Sequence, residues 1–487
     1  MKNKKANANQ AISSSQKSGS AKKAETPILD ALRNSLENPS VPLHIPGHAG
    51  GKGILPEFKE LFGEKVATLD ATDEFGGIGK LHPADGAIAL AQDLMAELFG
   101  AEKSFFLING SSVGNLALAM TAAKENQKII VGRNCHRSVI SGLTFSGGNP
   151  AWVVPQWLEE WGVWGQVTSD SIEKLLDENP EAAAVWLTNP TYEGVISDME
   201  GIASLCKSIN VPLIVDEAHG CLWKFNDKFP KSALECGADA VVHSLHKTGG
   251  SFSQSSVLHV GKDSKINPEE LEANLRMLQS TSPSCTLLAS LDAARAYLST
   301  EDGLHRVDEA IKNAEAVRKM LGQIDNVHCL SANQHINIDP TKIYLTIDGF
   351  SGRRLQSILE IEYNIEIETA TDEGILALSN IGNSSEELYY FCECIKKISQ
   401  KDYLDISHLE KTKFIPLHIP EMVCKPRKAY ISAKEQVIPE ESIGRISTEI
   451  IAFCPPGIPV LIPGEKITED HLPYLINRQS VQVVKTY

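Results

Sequence analysis

An α/β architecture, with a mainly parallel sheet covered by helices on both faces, is the fold class predicted for this chain of 487 residues. Three features carry that reading. Short apolar runs at 104–108, 128–132, 151–155, 182–188, 211–216 and 239–244 alternate with amphipathic patterns such as 114–124, 169–178 and 199–209. The runs are continuously apolar, as strands buried on both sides must be. Polar, chemistry-bearing residues follow several strand ends, where ligands gather in sheets of this kind.

Residues 1–25 are rich in Lys, Asn, Ser and Ala and lack an apolar core, which predicts a disordered tail and excludes a secretory signal. An N-terminal segment spans 26–85. It holds His44 and His48 four positions apart, but Pro46 and Gly47 between them break the helix that a zinc-protease pair requires. A helical pattern over 86–99 stops at Gly100, a good C-cap, and opens a large domain over 86–325. Its last part, 268–324, is largely helical. A small α/β domain over 326–400 follows: strand 342–347, helix 352–362, strands near 365–368 and 375–379, helix 385–399. The Pro-rich remainder, 401–487, reads as a C-terminal subdomain without strong periodicity.

The formal charge of −16 argues against nucleic acid or an anionic membrane as partner, and no run reaches membrane-spanning length. Ten cysteines are dispersed with no Cys-x-x-Cys, which signals no metal site and a reduced, cytoplasmic protein.

The chemistry is concentrated after three strands. The run 211–215 ends in Asp216-Glu217-Ala218-His219-Gly220, and the stretch 241–260 reads as a strand ending near Ser244, a small-residue turn holding His246 and Lys247, and a second strand. A lysine just past a buried strand supplies an amine for a Schiff base, and a carboxylate at a neighbouring strand end suits a pyridinium nitrogen. Pyridoxal phosphate needs both. Its phosphate finds a seat at Gly110, Ser111 and Ser112, where a turn opens a helix and leaves backbone N–H groups free; plain helix capping is the competing reading. Ser244 and His246 add donors from the lysine loop. Ala218 adds no bulk or charge beneath a ring, and His219 joins the cofactor set from the same loop. His136, after the strand 129–132, reads either as an imidazole stacked on the other ring face or as a surface-loop histidine.

These residues sit in an ordered set of motifs: HIPGH (44–48), LHPADGAI (81–88), FFLINGSSVGN (105–115), RNCHRSV (133–139), TNPTYEGV (188–195), VDEAHG (215–220), HSLHKTGGSFSQSSVLH (243–259) and QSTSPSCTLLASLDAAR (279–295). With GRIS and PPGIPVLIPGE near the end, the set resembles the Orn/Lys/Arg decarboxylase family of fold-type-I pyridoxal-phosphate enzymes, from about residue 27 onward. The resemblance implies an aminotransferase-like large domain with smaller α/β and C-terminal domains. It implies Lys247 as the cofactor lysine, Asp216 on the pyridine nitrogen and His136 on the ring. Ser111, Ser112, Ser244 and His246 would hold phosphate, with Thr191 near the cofactor hydroxyl. A homodimer is implied, with Ser280, Thr281 and Ser282 reaching the neighbouring subunit's site.

The implied activity is α-decarboxylation of a basic L-amino acid, with arginine to agmatine first, then lysine and ornithine, in polyamine biosynthesis. That order follows the family's shorter members, which this chain resembles in starting close to the large domain. A guanidinium needs a carboxylate, and Asp73 or Glu74 in the loop LDATDEFGG is either that partner or a solvated acidic loop. Lys247 or His246 would return the proton to Cα. The competing readings are an aminotransferase or carbon–sulfur lyase on the same fold, and a non-catalytic cofactor-binding homologue. Two positions depart from the family pattern: Ala49, where lysine is usual, and Cys285, where tyrosine is usual.

Overall fold

The computed structural model describes residues 24–38, 41–63, 65–70, 77–401, 418–452 and 457–485. The tail expected over 1–25 lies outside the described residues apart from its last two positions, as do Asp73 and Glu74.

The large domain is built on seven strands: β1 (Lys103–Leu107), β2 (Lys128–Gly132), β3 (Asn149–Val153), β4 (Val185–Thr188), β5 (Leu213–Asp216), β6 (Ala240–His243) and β7 (Ser256–Val260). Their order across the sheet is β1-β7-β6-β5-β4-β2-β3. Pairings from β6 through β3 are parallel, whereas β7 runs antiparallel to both β1 and β6. The sheet is therefore mainly parallel with one reversed strand. Its centre is apolar on both sides: β5 and β6 are buried at every residue. One face packs on the helices Gly110–Ala122 and Arg137–Ser146, the other on Ser169–Glu178 and Met199–Ser208. Burial at roughly 25 cal/mol per Å² of apolar surface makes helix-sheet layers of this kind a large contribution to stability.

This topology gathers the site. Leu107, Gly132, Thr188, Asp216 and His243 end their strands at one edge, and Ser256 begins the reversed strand there. Between β6 and β7 lies a single helical turn, Leu245–Thr248, where the sequence predicts only a turn. That turn carries Lys247.

Helices Pro268–Leu278, Cys285–Leu298 and Glu301–Leu321 fill the predicted helical stretch. The small domain has a four-stranded antiparallel sheet made of Val327–Cys329, Lys342–Ile347, Ile375–Leu378 and Thr369–Ala370. The strand expected near 365–368 starts at Thr369 instead, where pairing with Ile375–Leu376 begins. The C-terminal segment forms two small antiparallel pairs, Lys434–Val437 with Val481–Val484 and Ile451–Ala452 with Pro459–Leu461. Strands this short leave little alternation to read. Among the described residues, no helix is long and apolar enough to cross a membrane.

One contact fastens the C-terminal segment to the sheet edge. Arg133 donates to the buried Glu465 carboxylate at 3.2 Å and to the Val460 carbonyl at 3.2 Å, and its guanidinium lies 4.7 Å from the Trp152 ring. Burial pushes the Glu465 carboxyl up, and the Arg133 charge opposes that push. Arg133→Ala strands the carboxylate, so urea unfolding should show a loss of about 3–5 kcal/mol. An unchanged midpoint would mean that the pair holds nothing together.

Candidate active site

A cavity of about 270 Å³ opens at this edge. Gly110, Ser111, Ser112, His136, Asp216, Ala218, His219, Ser244, His246 and Lys247 all line it. The residues expected around the cofactor, Thr191 excepted, therefore converge on one space.

The anion seat is built from the start of helix Gly110–Ala122. Gly110 has φ +66, a left-handed conformation that glycine adopts without strain and that turns the chain from strand into helix. Asn109 stands at the N-cap with no side-chain cap bond, so the plain capping reading of the serines fails. Ser111 Oγ instead meets Ser244 Oγ at 2.6 Å and donates to Ser256 Oγ at 3.3 Å. Three hydroxyls from three segments thus cluster beside a helix N-terminus of 13 residues, a donor set suited to a phosphate.

Asp216 is 3% exposed. One carboxylate oxygen accepts from Asn115 Nδ2 at 2.8 Å and the other from the Ala218 N–H at 3.3 Å. Both donors are neutral. A buried carboxylate so held is placed to pair with a cationic group, as a protonated pyridine nitrogen is. The adjacent Glu217 anchors the loop: its fully buried carboxylate accepts from Ser232 Oγ, the Ala233 N–H and His243 Nε2 at 2.7–2.8 Å.

His136 is the N-cap of helix Arg137–Ser146, and its Nδ1 accepts from the Ser138 N–H at 3.2 Å. That leaves the ring N–H on Nε2. Burial lowers its pKa, with Asp216 opposing. It is neither a solvated loop residue nor isolated: Asn115 Nδ2 also donates to Ser138 Oγ at 2.9 Å, which lies 2.7 Å from His136 Nδ1. One amide therefore ties the two ring-contacting candidates together.

His246 donates from Nδ1 to the Ser255 carbonyl at 2.7 Å, and burial lowers its pKa. In its neutral form the other ring nitrogen accepts, so a role as phosphate donor requires the imidazolium, which a bound dianion favours. Lys247 Nζ lies 3.0 Å from His219 Nε2.

Thr191 does not line the cavity; its hydroxyl accepts from the Val195 N–H at 3.0 Å. Thr188, the last residue of β4, lines it with a buried hydroxyl that has no hydrogen-bond partner among the described residues. Ser280, Thr281 and Ser282 are exposed between two helices and do not line the cavity of their own chain. His48 Nε2 lies 3.2 Å from Asp70, and Cys285 is buried at the start of its helix.

Sequence reasoning missed Asn115, Asn134, Thr188, Tyr192, Gln254 and Ile458, all cavity-lining. Asn115 stands one helical turn beyond Ser111 and Thr188 ends an apolar strand, so both left a signal. Ile458 left none, because it arrives from the C-terminal segment.

Fold and site together define a large-domain architecture shared with fold-type-I enzymes. The chain belongs to the Orn/Lys/Arg decarboxylase family: its major-domain profile matches residues 26–346 and its C-terminal-domain profile residues 408–482. It is 36% identical over 459 residues to an arginine decarboxylase of Bacillus subtilis, covering 93% of each chain. It is 25% identical over 557 residues to the lysine decarboxylase LdcA of Pseudomonas aeruginosa, covering 91% of this chain and 74% of that one. Among solved structures, lysine decarboxylase A from Pseudomonas aeruginosa has the same fold, with a TM-score of 0.82 at 22% identity, over 96% of this chain and 81% of that one.

Proposed function

We propose that the chain is a pyridoxal-phosphate-dependent arginine decarboxylase that forms agmatine. The reading rests above all on Lys247, Asp216, His136 and the Ser111–Ser244 hydroxyls lining one cavity. The identity with arginine decarboxylases, higher than with lysine decarboxylases, supports the substrate order. Bound pyridoxal phosphate would supply a conjugated, protonated ring that accepts the electron pair left by the departing carboxylate.

The chain's own residues do the rest. Ser111, Ser244 and the helix end would hold the phosphate, Lys247 would anchor the coenzyme through its amine, and Asp216 would pair with the ring nitrogen. His136 and Ala218, both lining the cavity, would flank the ring. Lys247 and His246 are the two candidates for returning a proton to Cα, each from its protonated form.

A homodimer is part of the proposal. Val41, Leu43, Leu55, Leu61 and Phe62 are large apolar side chains exposed along the N-terminal segment, and such exposure marks interaction surfaces. Ser280–Ser282, exposed in one subunit, would then serve the other's site. A carboxylate for the guanidinium from Asp73 or Glu74 is proposed on chemistry alone. The domain division into 86–325, 326–400 and 401–487, a reduced cytoplasmic setting and a role in polyamine synthesis complete the reading.

Incubation with arginine, lysine and ornithine separately, with the amine identified by mass spectrometry, tests it. Agmatine with release of carbon dioxide is expected, without any keto-acid co-substrate. Cadaverine or putrescine as the main product overturns the substrate, and a keto-acid requirement overturns the reaction.

A further inference from the structure

Lys342 begins a strand of the small domain, yet its side chain is 2% exposed and enters the large domain. Its Nζ donates to the Tyr192 carbonyl at 3.1 Å and lies 2.8 Å from His219 Nδ1. The other nitrogen of the same ring, Nε2, lies 3.0 Å from Lys247 Nζ. The lysine stem also shapes the backbone beside it: Gly194 has φ +103, and a Cβ there would stand 2.7 Å from Lys342 Cγ. A side chain at position 194 would displace the lysine.

A neutral imidazole has one N–H and one lone pair. Flanked by two amines, it is satisfied on both sides only if one amine donates, best as an ammonium, and the other is uncharged and accepts. We infer that Lys342 is a positioning residue: as the ammonium on Nδ1 it sets the His219 tautomer so that Nε2–H donates to Lys247, holding Lys247 as the uncharged amine that attacks an aldehyde. The inference rests on the proposed role of Lys247.

The surroundings agree with this assignment. Burial lowers the Lys342 amine to about 8, so it stays protonated at neutral pH, while Asp339, Glu368 and Glu193 favour its charge and Lys247 opposes it. Burial and both lysines hold His219 well below its usual value, with His246 adding to the effect, so the ring stays neutral. Burial pushes the Glu193 carboxyl up. Tyr192 stands 5.0 Å from the His219 ring, has the Lys342 and Lys247 amine nitrogens 5.6–5.8 Å from its own ring, and gives its hydroxyl to Glu368. Asp339 is occupied by Trp223 and Thr341.

The test measures the titration midpoint of Lys247 in the full chain. Reductive methylation with formaldehyde and cyanoborohydride across a pH series, read by mass spectrometry of the Lys247 peptide, gives it directly. Pyridoxal-phosphate uptake is followed separately by visible absorbance. Lys342→Met should raise the midpoint by about one pH unit or more, because a like charge two hydrogen bonds away is lost and the ring is free to accept from a Lys247 ammonium. His219→Gln, which can present its oxygen to Lys342 and its N–H to Lys247, should stay near wild type. If Lys342→Met does not fold, Lys342→Leu, which neither donates to the ring nor carries charge, has the same expected rise. An unchanged or lower midpoint in the folded Lys342 variant overturns the inference, and so does a rise in His219→Gln as large as in Lys342→Met. A wild-type chain that takes up no pyridoxal phosphate while its midpoints behave as expected sinks the cofactor reading and leaves this one standing.

Discussion

Lys247→Ala is expected to eliminate the visible absorbance of the lysine-bound coenzyme and to lower kcat by at least roughly 10⁴-fold, beyond what losing one general acid or base costs. The size follows from the number of tasks meeting on one nitrogen. In the proposed mechanism the amine would hold the coenzyme and is one of two candidates for returning the proton. Its place is set by Ser244, whose carbonyl accepts from the Lys247 N–H at 3.0 Å, and by the short helix Leu245–Thr248. Alanine is compatible with that helix, so far-UV circular dichroism and the unfolding midpoint should stay near wild type. A variant that retains both absorbance and turnover would remove Lys247 from the mechanism.

Asp216→Asn is expected to leave coenzyme bound yet to reduce kcat by roughly 10²-fold or more, a loss typical of removing one preorganised electrostatic group. The amide is nearly isosteric, and its oxygen can still accept from Asn115 or from the Ala218 N–H. What it cannot do is carry the negative charge that keeps a pyridine nitrogen protonated. Affinity for the phosphate end should survive, since the Ser111, Ser244 and Ser256 hydroxyls belong to other segments. Absorbance titration with pyridoxal phosphate and steady-state product release measure the two effects separately. Retention of kcat within a few-fold would show that ring protonation does not depend on this carboxylate.

Much of this site was legible because its parts sit at strand ends. A continuous apolar run that stops at Asp216, or just before Lys247, announces both a buried strand and the polar group beyond it. The Gly110-Ser111-Ser112 turn was legible for the same reason, though only the structure separates an anion seat from a helix cap, since the Ser111 hydroxyl goes to Ser244 rather than to its own helix. His136 was half legible: its place after a strand was clear, its linkage to Asp216 through Ser138 and Asn115 was not. Thr191 shows the limit of carrying motif positions over, because its hydroxyl is spent within its own turn while Thr188 faces the cavity.

From the chain alone came the alternating architecture, the family, and the amine, acid and hydroxyl turn on which the chemistry depends. Periodicity and spacing encode the local state of the backbone, and in a parallel sheet the local state already brings strand ends to one edge. Folding in three dimensions added Lys342 behind His219, Ile458 over the cavity and the Arg133–Glu465 tie. Each of these joins segments distant along the chain, so it depends on how domains dock, and docking leaves no periodic mark in either partner.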